Sequence, residues 1–128
     1  MVVLHWAFGG GPNNIHAPRN HRANHVVYTS THDTDTTVGW YASLSKRERA
    51  AADLDPREPH WGLIEIAMQS RAVLAIVPAQ DVLGLGSEAR MNRPGHALGN
   101  WSWRLERGQL TDALAARLRE ATASGLRA

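Results

Sequence analysis

The sequence contains no cysteine, which removes disulfides and thiolate metal sites and fits a reducing compartment, so a cytoplasmic location is expected. No stretch approaches the roughly 20 apolar residues that a membrane-spanning helix needs, and the start lacks a basic segment followed by an apolar core. Neither a membrane nor an export route is expected. Runs of one charge are missing too: 14 Lys and Arg against 12 Asp and Glu leave a formal charge of +2, with the two signs interspersed. A surface that tracks phosphates, and with it a nucleic-acid partner, is therefore not expected. Seven histidines are present, but His5, His16, His21, His25 and His32 are irregularly spaced and fit no common ligand pattern, so the reading is no metal and no cofactor. The loop histidines are expected to be solvated. The segment GLGSEAR lacks the third glycine of a nucleotide fingerprint, and its glycines read as tight-turn residues.

What is present alternates between strand and helix signals. Val2 to Phe8 is a β-branched and aromatic run that reads as a buried strand. Residues 9–24, rich in Gly, Pro and Asn, read as a long loop of the kind that often carries function. Val26 to Thr29 reads as a second strand running directly into THDTDTT. A helix is expected from Thr36, capped by Asp35 or Thr36, with Trp40 and Leu44 on one face. It is expected to fray into the charged stretch SKRERAAADLDPREP. Another helix is expected from Pro59, with Trp61, Ile64 and Met68 aligned. Ala72 to Val77 reads as a strand covered on both faces, and the following segment to Arg104 carries few regular signals. Leu110, Leu114 and Leu118 mark a terminal helix that starts at Thr111 or Asp112.

Strands alternating with helices, each strand ending in a polar loop, predict an α/β fold with a parallel sheet whose ligands sit at the C-terminal strand ends. Three such strands leave two open edges. Residues 1–128 are thus expected to form a single partial domain, a piece of something larger.

Three segments, YTSTHDTDTTVGW (28–40), PAQDVLGLGSEARMNRPG (78–95) and GNWSWR (99–104), together resemble the amylomaltases and plant disproportionating enzymes. These are retaining 4-alpha-glucanotransferases of the α-amylase clan. The opening VLHWAFGG is similar to a further strand of the same family, so the resemblance runs over roughly residues 1–108 in matching order. It implies the C-terminal part, the last three strands and helices, of a (β/α)8 TIM barrel, a fold that needs about 250 residues when complete.

The resemblance also implies the chemistry: an α-1,4-glucan segment is passed to another sugar through a covalent glycosyl-enzyme. That reaction uses a carboxylate nucleophile and a second carboxyl as acid and base, about 5 Å apart, and the family pattern puts both upstream of Met1. Asp33 matches the family's third acid, which stabilises the transition state, and His32 matches the histidine that binds a hydroxyl of the same ring. Asn92 matches a glucan-contacting asparagine, and Trp6 and Phe8 are expected to offer an apolar platform. Thr34 stands where many members have asparagine, and Gly9 where many have an acid. The implied partners are maltooligosaccharides or other α-1,4-glucans and the N-terminal part of the barrel. Alone, the chain is expected to be inactive; the alternatives are a glycan-binding remnant or inert fragment, and a metal-assisted hydrolase using His32 and Asp33. Read without the resemblance, Asp33 and Asp35 are helix caps, and Asp35 keeps that reading. Trp101 and Trp103 are expected in the core, and Arg90 beside a carboxylate.

Overall fold

The computed structural model describes residues 1–127. Three short strands, β1 (Val2–Val3), β2 (Val26–Tyr28) and β3 (Leu74–Ile76), form one parallel sheet in the order β1-β2-β3. Val27 lies between Val2 and Ala75, and Tyr28 between Val3 and Ile76. Because side chains alternate across a strand, one face gathers Val2, Val27 and Ala75 and the other gathers Val26, Tyr28, Leu74 and Ile76.

The first face is the core. Among the described residues five α-helices accompany the sheet: α1 (Thr37–Ser43), α2 (Lys46–Ala52), α3 (Pro59–Gln69), α4 (Ala79–Val82) and α5 (Asp112–Ser124). Leu63 and Ala67 of α3 bury themselves against Val2, Leu4, Val27 and Ala72. The other side of α3, with Trp61, Ile64 and Met68, packs on Ala121, Leu114 and Leu118 of α5. Helix α3 is thus apolar on two faces and sandwiched between sheet and helix. Arg117 of α5 binds Glu58 through two hydrogen bonds of 2.7 Å and lies 4.2 Å above the Trp61 ring, which fixes the angle between the two helices. No helix among the described residues is long and apolar enough to cross a membrane.

The helix starts follow local chemistry. The Thr36 side chain accepts the Gly39 amide, Thr111 accepts that of Leu114, and Pro59 opens α3, a position where no amide donor is lost. The charged stretch expected to fray is instead helix α2, because Ser45 and Glu48 close a capping box in which each side chain serves the other's backbone.

Other departures also have physical causes. The first strand stops at Val3, and Leu4–Trp6 form a 3-10 turn whose Leu4 carbonyl accepts the Ala7 amide at 3.0 Å. Strand β3 is covered on one face only: Leu74 and Ile76, which share a face, are 49% and 37% exposed, since nothing described packs on that side. His16 and His21 are working parts of their loop rather than solvated. His16 Nδ1 accepts the Val3 amide, while His21 donates from Nε2 to the His16 carbonyl and accepts the Ser70 hydroxyl at 2.7 Å.

Gly84 follows α4 in the left-handed region, φ +67°, and a Cβ there would stand 2.8 Å from His60 Nε2. Both the backbone and the space favour glycine. Gly84→Ala is expected to destabilise the chain by about 1–3 kcal/mol, read as a lowered midpoint in thermal denaturation.

Candidate active site

The C-terminal end of β2 does not continue as a strand because its next residues turn toward a buried acid. Thr29 and Ser30 each donate a hydroxyl to Asp81 Oδ2 at 2.6 Å, and the Thr37 amide donates to Asp81 Oδ1 at 2.8 Å. Asp81, on α4, is fully buried. The loop from Thr31 to Thr36 is therefore held at both ends by one carboxylate.

That loop presents His32 and Asp33, whose side chains are 60% and 51% exposed and whose Nε2 and Oδ2 lie 3.3 Å apart. Asn92 donates its side-chain amide to Asp33 Oδ1 at 2.7 Å. Arg90 donates to the Asp33 carbonyl and to the Asn92 carbonyl, both at 2.8 Å. Arg90 was expected to pair with a carboxylate; its planar fork instead joins the two backbones that carry the Asp33–Asn92 contact. Arg90→Ala is expected to leave the fold intact and to loosen this contact, read as faster exchange of the Asn92 side-chain amide protons.

Asp33 lines a cleft of about 380 Å³ together with His32, Asp35, Tyr28, Ile76, Arg90 and Trp101. Trp101, expected in the core, is half exposed, and its ring sits 5.4 Å from that of His32. Its backbone is left-handed, φ +58°, which swings the indole out of the extended alternation that the sequence suggested. Asp35, the second acid of the cleft, has both oxygens engaged, one by the Thr36 amide and one by the Ser87 hydroxyl at 2.7 Å. Asp33 is left as the cleft's acid with an oxygen free of the backbone and of hydroxyls.

Trp6 and Phe8 lie apart from His32, Asp33 and Asn92. They border a second cleft of about 490 Å³ with His5, Asn14, Trp40 and Glu48. Beneath it His5 stacks on Trp40, ring centroids 4.5 Å apart, and its Nε2 is 3.1 Å from the Thr37 hydroxyl. Burial drives the His5 pKa down from 6.5 to about 4, against the pull of Asp81 and Asp35. The unfolded chain therefore takes up a proton that the folded chain refuses. Folding stability is therefore unaffected by His5 above about pH 6.5 and falls as pH drops from there toward about 4, by on the order of 3 kcal/mol. Urea unfolding between pH 7 and 4 checks this, with a flatter profile expected for His5→Asn.

With this geometry in view, the relatives are informative. The family model for 4-alpha-glucanotransferases matches residues 1–111. The chain belongs to the 4-alpha-glucanotransferase family. It is 47% identical to the 4-alpha-glucanotransferase of Thermus thermophilus over 93% of its own length and 26% of that protein. It is also 47% identical to the chloroplastic/amyloplastic 4-alpha-glucanotransferase of Arabidopsis thaliana, over 82% of this chain and 19% of the relative. Among solved structures, the amylomaltase from Streptococcus agalactiae in complex with acarbose matches 99% of the chain and 27% of its own, with a TM-score of 0.92 and 29% identity. The chain thus spans about a quarter or less of these 4-alpha-glucanotransferases.

Three residues that hold or line this cleft were not among the site residues expected from sequence: Asp81, Ser87 and Trp101. Asp81 carried a signal, an acid one helical turn beyond a strand end, facing a strand that finishes in two hydroxyl residues. Which acid meets which hydroxyl depends on sheet order, and sheet order is not written locally. Ser87 carried none.

Proposed function

We propose that this chain forms the last three strands and helices of a (β/α)8-barrel 4-alpha-glucanotransferase, and that Asp33 stabilises the transition state of glucan transfer. The observation that carries the reading is the Asp33 carboxylate itself: half exposed at the end of a parallel strand, with one oxygen fixed by Asn92 at 2.7 Å. Positive charge builds on the anomeric carbon as the glycosidic bond breaks. A carboxylate already oriented beside it is worth more there than in water. Asn92 fixes Oδ1 and so aims the remaining oxygen into the cleft, while His32 stands beside it to bind a hydroxyl of the same ring. Trp101 offers its face to the sugar, and Trp6 and Phe8 supply an apolar platform for a more distant ring.

Retaining transfer needs two further carboxyl groups about 5 Å apart. Asp35 and Asp81 are poor candidates, because the hydrogen bonds of each are taken up inside the protein. The nucleophile and the acid/base are assigned to the part of the enzyme that its relatives have beyond the match. The exposed sheet face of Leu74 and Ile76 is the surface that part would cover. Maltooligosaccharides are the proposed substrates, in keeping with the acarbose bound by the Streptococcus agalactiae amylomaltase.

Calorimetric titration with maltoheptaose tests the binding half of this reading. Millimolar affinity is expected, weakened about tenfold or more by Asp33→Ala. Equal heats from the two proteins would remove Asp33 from the site.

A further inference from the structure

We propose that Asp81 is the positioning residue for Asp33: a buried carboxylate that sets the place of the His32–Asp33 loop without touching the sugar. The role rests on the reading of Asp33 as the glucan-facing acid. Asp81, on α4, is fully buried. Its three donors bracket the loop, with Thr29 and Ser30 just before it and the Thr37 amide just after it. A single side chain thereby fixes the entry, the exit and the distance between them.

The same segment reaches the loop twice more. Gln80, next to Asp81, donates to the Ala89 carbonyl at 3.3 Å, which anchors the chain that then delivers Arg90 and Asn92. Arg90 binds the Asp33 carbonyl, and Asn92 binds the Asp33 carboxylate. Residues 80–92 therefore form one cradle: ends, backbone and carboxylate of the loop are all held from it. Asp81 is the member that links α4 to β2 and α1, so its loss frees the loop relative to Asn92.

A carboxylate suits this place and an amide does not. All three partners are donors, two of them on the same oxygen, and an ionised carboxylate is acceptor-only on both oxygens. Asparagine has the same shape but one accepting oxygen. Its amide group would face either the Thr37 N–H, which cannot accept, or the two hydroxyls, which would have to turn. The variant thus changes orientation with little change of volume. Misplacement of a reacting group by about 1 Å is enough to matter in catalysis.

The test is Asp81→Asn in the whole chain, with Asp33→Ala beside it, read by three measurements: unfolding, the nitrogen-proton resonance of the Asn92 side-chain amide, and maltoheptaose affinity. The expectation for Asp81→Asn is a folded protein at low temperature, an Asn92 amide resonance moved toward the position it takes in Asp33→Ala, where the accepting carboxylate is gone, and affinity about tenfold weaker. A folded Asp81→Asn protein with the wild-type Asn92 resonance and affinity would overturn the proposal and leave Asp81 a purely structural acid. If Asp81→Asn does not fold, Thr29→Val decides. It removes one donor at a fully buried site outside the cleft, and a shift of the Asn92 resonance with about threefold weaker binding is expected; no change in either would overturn the proposal. If Asp33→Ala leaves affinity untouched, the reading of Asp33 as a glucan-facing acid fails, while the Asn92 resonance of Asp81→Asn still reports whether Asp81 places the loop.

Discussion

Asparagine in place of Asp33 is expected to lower kcat on the order of 10²–10³-fold, with KM changed far less, when the chain is joined to the upstream portion of the Thermus thermophilus 4-alpha-glucanotransferase. The size follows from what is removed. A single preorganised group aimed at developing charge typically contributes that much, because the site holds it in place before the reaction starts. Here the preorganisation is visible as the Asn92 contact on Oδ1 and the Arg90 contact on the Asp33 backbone. The substitution keeps the shape and removes the charge, so ground-state binding of neutral sugar hydroxyls is disturbed less than stabilisation of a cationic transition state. Steady-state transfer from maltotriose gives both constants. An unaltered kcat would mean that Asp33 takes no part in the chemistry.

The largest expected effect on stability comes from Leu63→Ala. Leu63 is fully buried and belongs to the cluster in which α3 meets Val2, Leu4 and Val27 of the sheet. Removing its outer carbons leaves a cavity between layers that cannot close without moving the sheet, a loss of about 2–5 kcal/mol. Whole domains are stable by only about 5–15 kcal/mol, and this chain leaves Leu74 and Ile76 exposed on one sheet face. The midpoint of thermal unfolding is expected to fall by about 10 °C or more. A fall of a degree or two would show that α3 packs on the sheet more loosely than the contacts indicate.

The elements that could be read from sequence are those with a local cause. Pro59 and Thr111 mark the starts of α3 and α5 because an N-terminal proline and a hydroxyl cap act within one helical turn. The capping box of Ser45 and Glu48 was equally local, yet the high charge of its surroundings masked it. Strand ends were harder. The apolar run from Val2 to Phe8 looks like one strand, but pairing ends at Val3, where β2 turns away to meet Asp81. Leu74 and Ile76 have the composition of doubly covered residues, and only the sheet order shows one face uncovered.

The candidate site divides the same way. His32 and Asp33 announce themselves at the end of a strand, but the Asp33–Asn92 contact joins residues 59 apart in sequence. The resemblance to a family placed both residues near a glucan; composition and spacing alone would have left Asp33 as a cap. Trp101 was misread because its left-handed backbone breaks the alternation of a segment that otherwise reads as extended.

The most direct test of the account is glucose release from maltotriose by the purified chain, alone and then after the rest of a 4-alpha-glucanotransferase barrel is supplied. No release above the buffer rate is expected from the chain alone, and transfer that depends on Asp33 is expected once the barrel is completed. Glucose released by the unaccompanied chain would contradict the account, because it would place a nucleophile and an acid among residues here assigned to transition-state stabilisation and structure.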